Sequence, residues 1–368
     1  HVTTYADLDQ QSDRFAALLQ SKGVRKGDRV AVFLPNCPQF HVAFFGILKL
    51  GAVHVPVSPM SRAFELEHEL TDTGARALVA LDELMPVVRE VRARSSLEVF
   101  VTGFADVLPA GPAIPVPASM TGARIACPDA TELMPALAAV AGPPPDARPC
   151  LDDVAALNYT GGTTGLPKGC VHTQRDMVYT AASNHGIALD WPPDTVMLSF
   201  FPQFWIAGEN AALIFPVFAG ATLVLLSRWD PEGVMAAIAR YRVTITIMPV
   251  DGAVELMDHP RFAEFDLRSL RQVRVVSFVK KLNREYRARW RALTGGVLAE
   301  SAWGMTETHT SDTFTTGFQD DDFDLSVQPV FVGLPVPGTE FKICDFDTGA
   351  LKPLGEEGEI RVRSPSLL

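Results

Sequence analysis

Apolar residues in the first third of the chain recur alternately with the spacing of helices and of buried strands. A first helix is predicted to begin after Thr4, with Asp7 as the second half of a capping box, and to end by Gly23. Its apolar face consists of Leu8, Phe15, Leu18 and Leu19. Further strands are predicted at 29–34, 52–57 and 76–81, and further helices at 38–51 and 61–74. This alternation is typical of a parallel sheet that is covered by helices.

The pattern weakens between residues 109 and 149, where prolines cluster at both ends and residues 143–145 are three consecutive prolines. We predict a surface connector here, with one short helix at 129–141. A segment that binds a partner is the alternative interpretation.

The alternation returns in the second half of the chain. Helices are predicted at 174–186, at 207–218, from 230 onward and at 283–293, and strands at 195–201, 221–226, 243–248, 272–277 and 297–303. Beyond residue 320, short strands at 340–344 and 358–362 indicate a small distorted barrel. The predicted fold class is therefore α/β, with two abutting α/β subdomains of mostly parallel sheets in 1–320 and an incomplete β-barrel-like part in 321–368.

Composition narrows the class of partner. The 368 residues are 47% hydrophobic and carry a formal net charge of −11, which disfavours general electrostatic binding to nucleic acid or to an anionic membrane. No apolar run approaches the roughly 18 residues that a membrane span requires. The cysteines lack a C-x-x-C spacing, which favours reduced thiols and a cytoplasmic location; they are Cys37, Cys127, Cys150, Cys170 and Cys344.

The stretch from Thr160 to Gly169 combines four glycines, three threonines and one lysine within ten residues. Backbone N–H groups can approach an anion closely where side chains are absent, so this composition predicts a loop that binds a polyphosphate. The spacing of the glycines fits neither a Walker A loop nor a G-x-G-x-x-G loop. We expect the loop at a strand-to-helix junction, with Thr173 and Asp176 forming the capping box of the next helix. An ordinary glycine-rich turn is the alternative.

A second stretch, residues 303–308, reads Trp-Gly-Met-Thr-Glu-Thr at the end of a predicted parallel strand. Ligands of open α/β sheets bind at that edge. An indole can pack against an adenine, Thr306 can donate to a phosphate, and Glu307 can bind Mg²⁺. A core tryptophan beside a surface glutamate is the alternative interpretation.

The two stretches together resemble the phosphate-binding signature and the aromatic-Gly-x-Thr-Glu motif of the adenylate-forming superfamily. That superfamily contains acyl-CoA synthetases, luciferases and peptide-synthetase adenylation domains. Weaker likeness extends over most of the chain, at 34–36, 51–56, 201–204 and 358–360. The resemblance implies that ATP and a carboxylic acid form an acyl-adenylate and pyrophosphate, and that coenzyme A then displaces AMP.

The resemblance also assigns roles to individual residues. The positions that it assigns to ATP and its phosphates are Thr160, Gly161, Gly162, Thr163, Thr164, Gly165 and Lys168. Adenine contacts are expected from Ser301, Trp303 and Gly304, and an acyl pocket from Trp205, Phe278 and Met305. Thr306 would contact the α-phosphate and Glu307 would bind Mg²⁺, so these two residues are the expected catalytic residues.

Two features depart from the family pattern, and a third concerns what would follow the chain. Trp205 stands where many relatives carry His or another aromatic at the acyl entrance; its size favours an apolar acid, and packing is the alternative role. Residues 277–282 read Ser-Phe-Val-Lys-Lys-Leu where relatives carry small residues, so the segment is either displaced or reshapes the pocket through Phe278 and Val279. The family's ribose-binding aspartate and its small carboxy-terminal domain, with the lysine that contacts the reacting carboxylate, would follow residue 368. We therefore expect the large domain of a longer enzyme, with weak nucleotide binding and little thioester formation by residues 1–368 alone.

Among possible substrates, an amino acid is disfavoured because residues 199–205 contain no acidic side chain to pair with its ammonium group. We expect an aliphatic, fatty acid, with an aryl acid as the alternative. A non-catalytic nucleotide-binding scaffold is the competing interpretation from another class. The expected partners are the acid, ATP and coenzyme A, and not nucleic acid. Assembly into a homodimer is a further possibility that the sequence leaves open.

Overall fold

The computed structural model of the chain describes residues 1–92, 97–161, 166–327 and 329–367. Its helices are α1 (Tyr5–Ser21), α2 (Pro38–Lys49), α3 (Ala63–Thr73), α4 (Met85–Arg92), α5 (Leu133–Ala139), α6 (Gln174–Ser183), α7 (Ile206–Glu209), α8 (Phe215–Ala219), α9 (Pro231–Tyr241), α10 (Val250–Asp258) and α11 (Arg284–Thr294). Its first eight strands are β1 (Arg29–Phe33), β2 (Val53–Pro56), β3 (Ala77–Leu81), β4 (Glu98–Thr102), β5 (Thr131–Glu132), β6 (Val154–Thr160), β7 (Lys168–Thr173) and β8 (Val196–Ser199). The others are β9 (Thr222–Leu225), β10 (Ile245–Pro249), β11 (Gln272–Val276), β12 (Val297–Glu300), β13 (Thr313–Phe314), β14 (Leu334–Pro335), β15 (Glu340–Cys344) and β16 (Glu359–Arg363).

The first half of the chain forms a seven-stranded sheet in the order β5-β4-β3-β1-β2-β6-β7. Neighbouring strands are parallel except β6 and β7, which are antiparallel. Val30 and Val32 of β1 pack beneath α1, α2 and α5, whereas Ala31 and Phe33 pack on the opposite face beneath α3 and α4. Both faces are buried, which explains why the strand is apolar throughout.

The second half forms a five-stranded sheet in the order β12-β11-β10-β8-β9, and all of its neighbours are parallel. Met197 and Ile245 of this sheet share one core cluster with Phe40 and Phe44 of α2. The two α/β halves therefore abut through a common apolar core, as the sequence predicts.

The segment at 109–149 is more than a surface connector, contrary to the sequence-based expectation. β5 adds a strand to the edge of the first sheet, and Leu133 and Leu137 of α5 are buried in its core. Arg124 anchors the segment through ion pairs at 2.7 Å to Asp82, 3.2 Å to Asp106 and 2.5 Å to Glu132. Only the short helix was correctly predicted in this region.

The structure also corrects one predicted helix and adds elements that the sequence analysis did not predict. The single helix predicted at 207–218 is instead α7, a π-helical turn at Asn210–Ile214, and α8. The sequence pattern also missed β4 and α10. Near the end of the chain, β13–β14 and β15–β16 form two antiparallel pairs. No helix among the described residues is long and apolar enough to cross a membrane.

Candidate active site

The glycine-rich loop joins β6 to β7, and its ends are held by the pairing of Thr160 with Lys168. The Thr160 Oγ1 atom lies 3.5 Å from the carbonyl oxygen of Lys168, and the Lys168 side chain is exposed. The expectation of a strand-to-helix junction is wrong, because the loop connects two antiparallel strands. Residues Gly162, Thr163, Thr164 and Gly165 lie outside the described residues.

The helix after this hairpin begins as the sequence predicts. The Asp176 backbone N–H donates to Thr173 Oγ1 at 3.3 Å, and the Thr173 N–H donates to Asp176 Oδ2 at 2.6 Å. This reciprocal capping satisfies two backbone groups at the start of α6 and fixes where β7 ends.

The second predicted stretch follows β12 and is anchored by backbone hydrogen bonds. The Ser301 N–H donates to the Val275 carbonyl at 2.7 Å, and the Trp303 N–H donates to Thr313 Oγ1 at 2.8 Å. The Asp312 N–H in turn donates to the Trp303 carbonyl at 2.9 Å. The chain therefore doubles back on itself between Trp303 and Asp312.

Gly304 is required by this close return of the backbone. A Cβ atom at position 304 would lie 2.4 Å from the Ser311 nitrogen and 2.8 Å from Thr310 Cα. On the returning side His309, Thr310 and Ser311 all have positive φ angles, of 59°, 59° and 62°, which non-glycine residues seldom adopt. The tight turn thus depends on the absence of a side chain at position 304.

Thr306, Glu307 and Thr308 form one 3₁₀ turn within this return. Thr308 Oγ1 donates to the Asp312 carboxylate, and the Thr308 carbonyl accepts a hydrogen bond of 2.7 Å from Ser366 Oγ. Burial raises the pKa of Asp312 to about 6. No sequence pattern indicated Ser366, because its contact with Thr308 joins distant segments, and the local contact of Asp312 with Thr308 was missed as well.

The turn at 306–308 contacts both β6 and β7, the strands that flank the glycine-rich loop. Burial, and secondarily the negative charge of Glu307, raise the pKa of Cys170 on β7 to about 11. Glu307 is exposed, and so is Lys168 at the start of the same strand. The structure therefore brings the two predicted stretches together at one edge of the first sheet.

The three residues expected at an acyl pocket differ in how far their side chains are exposed to solvent. Trp205 is half-exposed at the start of α7, Met305 is partly buried, and Phe278 is 62% exposed. The loop that carries Phe278 is held by Ser277, whose Oγ donates to Glu300 at 2.5 Å. Their contact with an acyl group stays a prediction.

A buried polar cluster lies behind the 306–308 turn, and the sequence analysis missed it. Glu209, His54, His172 and His309 are each fully inaccessible to solvent. His172 and His309 meet edge to face with ring centroids 4.8 Å apart. The sequence feature that could have indicated this cluster is a histidine within an otherwise apolar strand, as in β2, which reads Val-His-Val-Pro.

A preformed metal centre is absent from the described residues, where no group of three or more His, Cys, Asp or Glu side chains is arranged to bind a metal ion. A single exposed carboxylate nevertheless fits Mg²⁺, because proteins usually bind this ion through one or two carboxylates together with substrate phosphates. Glu307 provides such a carboxylate on the turn that contacts β6 and β7.

The sequence profile of the family described as AMP-binding enzyme matches residues 1–368. This chain belongs to that family. Among curated relatives of this AMP-binding chain, a long-chain-fatty-acid–CoA ligase of Bacillus subtilis (strain 168) is 29% identical over 391 residues, which cover 99% of the chain and 65% of the relative. A 4-coumarate–CoA ligase 3 of Oryza sativa subsp. japonica is also 29% identical, over 99% of the chain and 62% of the relative.

Solved structures agree with this assignment to the AMP-binding family. The anthranilate CoA ligase AuaEII in complex with anthranoyl-AMP matches with a TM-score of 0.82 and 25% identity, covering 98% of this chain and 65% of that one. The N-terminal domain of FACL13 from Mycobacterium tuberculosis matches with a TM-score of 0.80 and 25% identity, covering 99% and 83%. The chain thus spans about two thirds or less of the length of the curated ligases named above.

Proposed function

We propose that the protein containing this chain activates a carboxylic acid with ATP to an acyl-adenylate and then transfers the acyl group to coenzyme A. The observation that carries the proposal is the contact of the 306–308 turn with β6 and β7. The turn carries Thr306 and Glu307, and these two strands carry Thr160 and Lys168, which supports a shared site.

In the first half-reaction a carboxylate oxygen attacks the α-phosphorus of ATP and pyrophosphate leaves. The main obstacle is repulsion between a carboxylate and a triphosphate, so the protein must supply positive charge and hydrogen-bond donors. Lys168 and Thr160 would bind the β- and γ-phosphates, and Thr306 would donate to the α-phosphate. Mg²⁺ bound through Glu307 would neutralise charge on the phosphates. The coenzyme A thiol would then attack the acyl carbon and release AMP.

We propose an aliphatic acid as the substrate. The support is the half-exposed indole of Trp205 together with the absence of an acidic side chain from residues 199–205, which disfavours substrates with an ammonium group. An aryl acid is the second candidate, because a relative named for 4-coumarate is 29% identical, as the fatty-acid ligase is, and a structure named for anthranilate matches at 25% identity.

Acid-dependent exchange of labelled pyrophosphate into ATP tests the proposal on the protein in its natural length. A panel should contain aliphatic, aryl and amino acids at equal concentration, with magnesium present. We expect exchange with aliphatic acids and its loss in the Lys168→Ala variant. Exchange with aryl acids alone would select the second candidate, and exchange with none of the acids would reject adenylation.

We further propose a cytoplasmic location. The support is the five cysteines, all of which are free in the described structure, as reduced thiols of that compartment would be. Fractionation followed by detection of the protein in the cytosolic fraction tests this location.

A further inference from the structure

The carboxylate of Glu209 is fully buried at the end of α7 and is approached by polar groups from three other segments. Asn158 Nδ2 donates to Glu209 Oε2 at 2.9 Å, whereas His309 Nε2 lies 3.6 Å from Oε1 and His54 Nε2 lies 4.0 Å from Oε2. A charge in such a site is costly unless partners compensate for its lost hydration. Burial alone would raise the pKa of this carboxyl, but His309, His54 and Asn158 together hold it below its ordinary value.

Two partners of Glu209 flank the two stretches that form the candidate active site. Asn158 lies on β6 two residues before Thr160, and His309 lies two residues after Glu307. Asn210, the neighbour of Glu209, donates from Nδ2 to the His309 carbonyl at 3.0 Å. One buried carboxylate therefore connects the strand that leads into the phosphate loop with the turn that carries Glu307.

Two simpler explanations of the cluster fit less well. The described His and Glu side chains are not arranged as a metal site. An ordinary core would be filled by apolar residues, yet here both ring nitrogens of His54, His172 and His309 and one oxygen of Glu209 have no hydrogen-bond partner within the protein. A buried polar group without a partner destabilises the folded state, so packing alone does not account for the cluster.

We propose that Glu209 is a positioning residue that sets the place of the 306–308 turn relative to the glycine-rich loop. The proposal rests on the proposed function, because that turn carries the residues expected to bind magnesium and the α-phosphate. Glu209 touches no substrate itself. Its removal should therefore impair the use of MgATP while leaving the binding of the acid unchanged.

The kinetic test compares Glu209→Met, which removes the polar contacts with Asn158, His309 and His54, with Glu209→Gln, which keeps an acceptor for Asn158. In pyrophosphate exchange we expect the KM for MgATP to rise about tenfold in the Met variant and about threefold in the Gln variant, with the KM for the acid within about twofold. Equal rises of both KM values, or no change in the KM for MgATP, would overturn the proposal.

A double-mutant cycle with His309→Asn tests the connection itself. Asparagine tolerates the left-handed backbone at this position, so the substitution removes the imidazole with little backbone strain. We expect the Glu209→Met/His309→Asn protein to be no worse than Glu209→Met alone, because both variants break the same contact. Additive losses would contradict a shared role.

A readout independent of activity uses Cys170, which lies close to Glu307. In a Cys150→Ser background the other three cysteines are buried, and Cys170 is the partly exposed thiol. We expect Glu209→Met to increase its rate of alkylation at least about threefold, as judged by peptide mapping, because displacement of the turn uncovers the thiol and removes the nearby carboxylate. An unchanged rate would overturn the proposal even if the enzyme shows no exchange activity.

Asp82→Asn provides the matched control, because Asp82 is also a buried carboxylate but pairs with Arg124 in the 109–149 segment. It should lower thermal stability without changing the KM for MgATP or the reactivity of Cys170. Metal analysis of the purified protein completes the test. One equivalent of zinc per chain, lost in Glu209→Met, would replace the positioning role by a metal site.

Discussion

Trp303 and Phe341 meet edge to face with ring centroids 5.3 Å apart, so the hairpin of β15 and β16 supports the indole expected near the adenine. Phe341→Ala should remove this support and leave a cavity beside the indole. We expect a loss of about 2 kcal/mol in the free energy of unfolding and a several-fold rise in the KM for ATP. Chemical denaturation and exchange kinetics measure the two effects, and Phe341→Leu, which keeps most of the volume, should show less than half of each.

Gly304→Ala should disrupt the return of the chain after Trp303. A methyl group there would lie 2.4 Å from a backbone nitrogen, so the turn must move as a whole. We expect a loss of about 1–3 kcal/mol of stability and little remaining exchange activity. Gly111→Ala is the control, since a Cβ atom at position 111 meets nothing within 4 Å. Similar melting temperatures for the two variants would contradict the packing argument.

Glu307→Gln should leave the fold intact, because the side chain is exposed. If this carboxylate binds magnesium, the variant should need at least about tenfold more Mg²⁺ for half-maximal exchange, since a neutral amide is a weaker ligand for a hard cation. A magnesium titration at fixed ATP measures the shift. Glu357→Gln, at another exposed position, should titrate as the unmodified protein does; an equal shift in both would point to a general charge effect.

His54 should make stability depend on pH. Burial lowers its pKa from 6.5 to about 4, so the unfolded chain takes up a proton before the folded one does. This contribution to stability is complete above pH 6.5 and is lost as the pH falls toward 4, by on the order of 3 kcal/mol. In His54→Leu the decline of unfolding free energy across this range should be smaller by about that amount.

Denaturation curves at several pH values provide the measurement. His172, whose pKa burial lowers to about 3, contributes with the same sign, so some decline should persist in His54→Leu. The exposed His185 provides a control, and His185→Gln should keep the full pH dependence. An unchanged slope in His54→Leu would show that the imidazole is not kept neutral by burial.

Features set by neighbouring residues were predictable from the sequence. The capping boxes at Thr4 and Thr173 follow from side chains three residues apart, and both are present in the structure. The alternation of apolar strands and helices likewise predicted two parallel sheets, because strands buried on both faces are apolar throughout. The two motifs identified the candidate site for the same reason, since each is contiguous in sequence.

Features that depend on contacts between distant segments were not predictable. The pattern around Glu209 resembles an ordinary helix, and only the fold shows that His54, Asn158 and His309 approach its carboxylate. The glycine-rich composition did not distinguish a strand-to-helix junction from a hairpin, because both use glycine to free the backbone. The two-residue strand β5 could not be predicted from the sequence, because it is defined by its pairing with β4.

The antiparallel pairing of β6 with β7 has a consequence for how this candidate nucleotide site can diversify. β7 is the last strand of its sheet, so a change in the length of the chain between β6 and β7 leaves the registers of the parallel strands unchanged. Loop variants that differ in length should therefore fold alike while differing in their affinity for triphosphate.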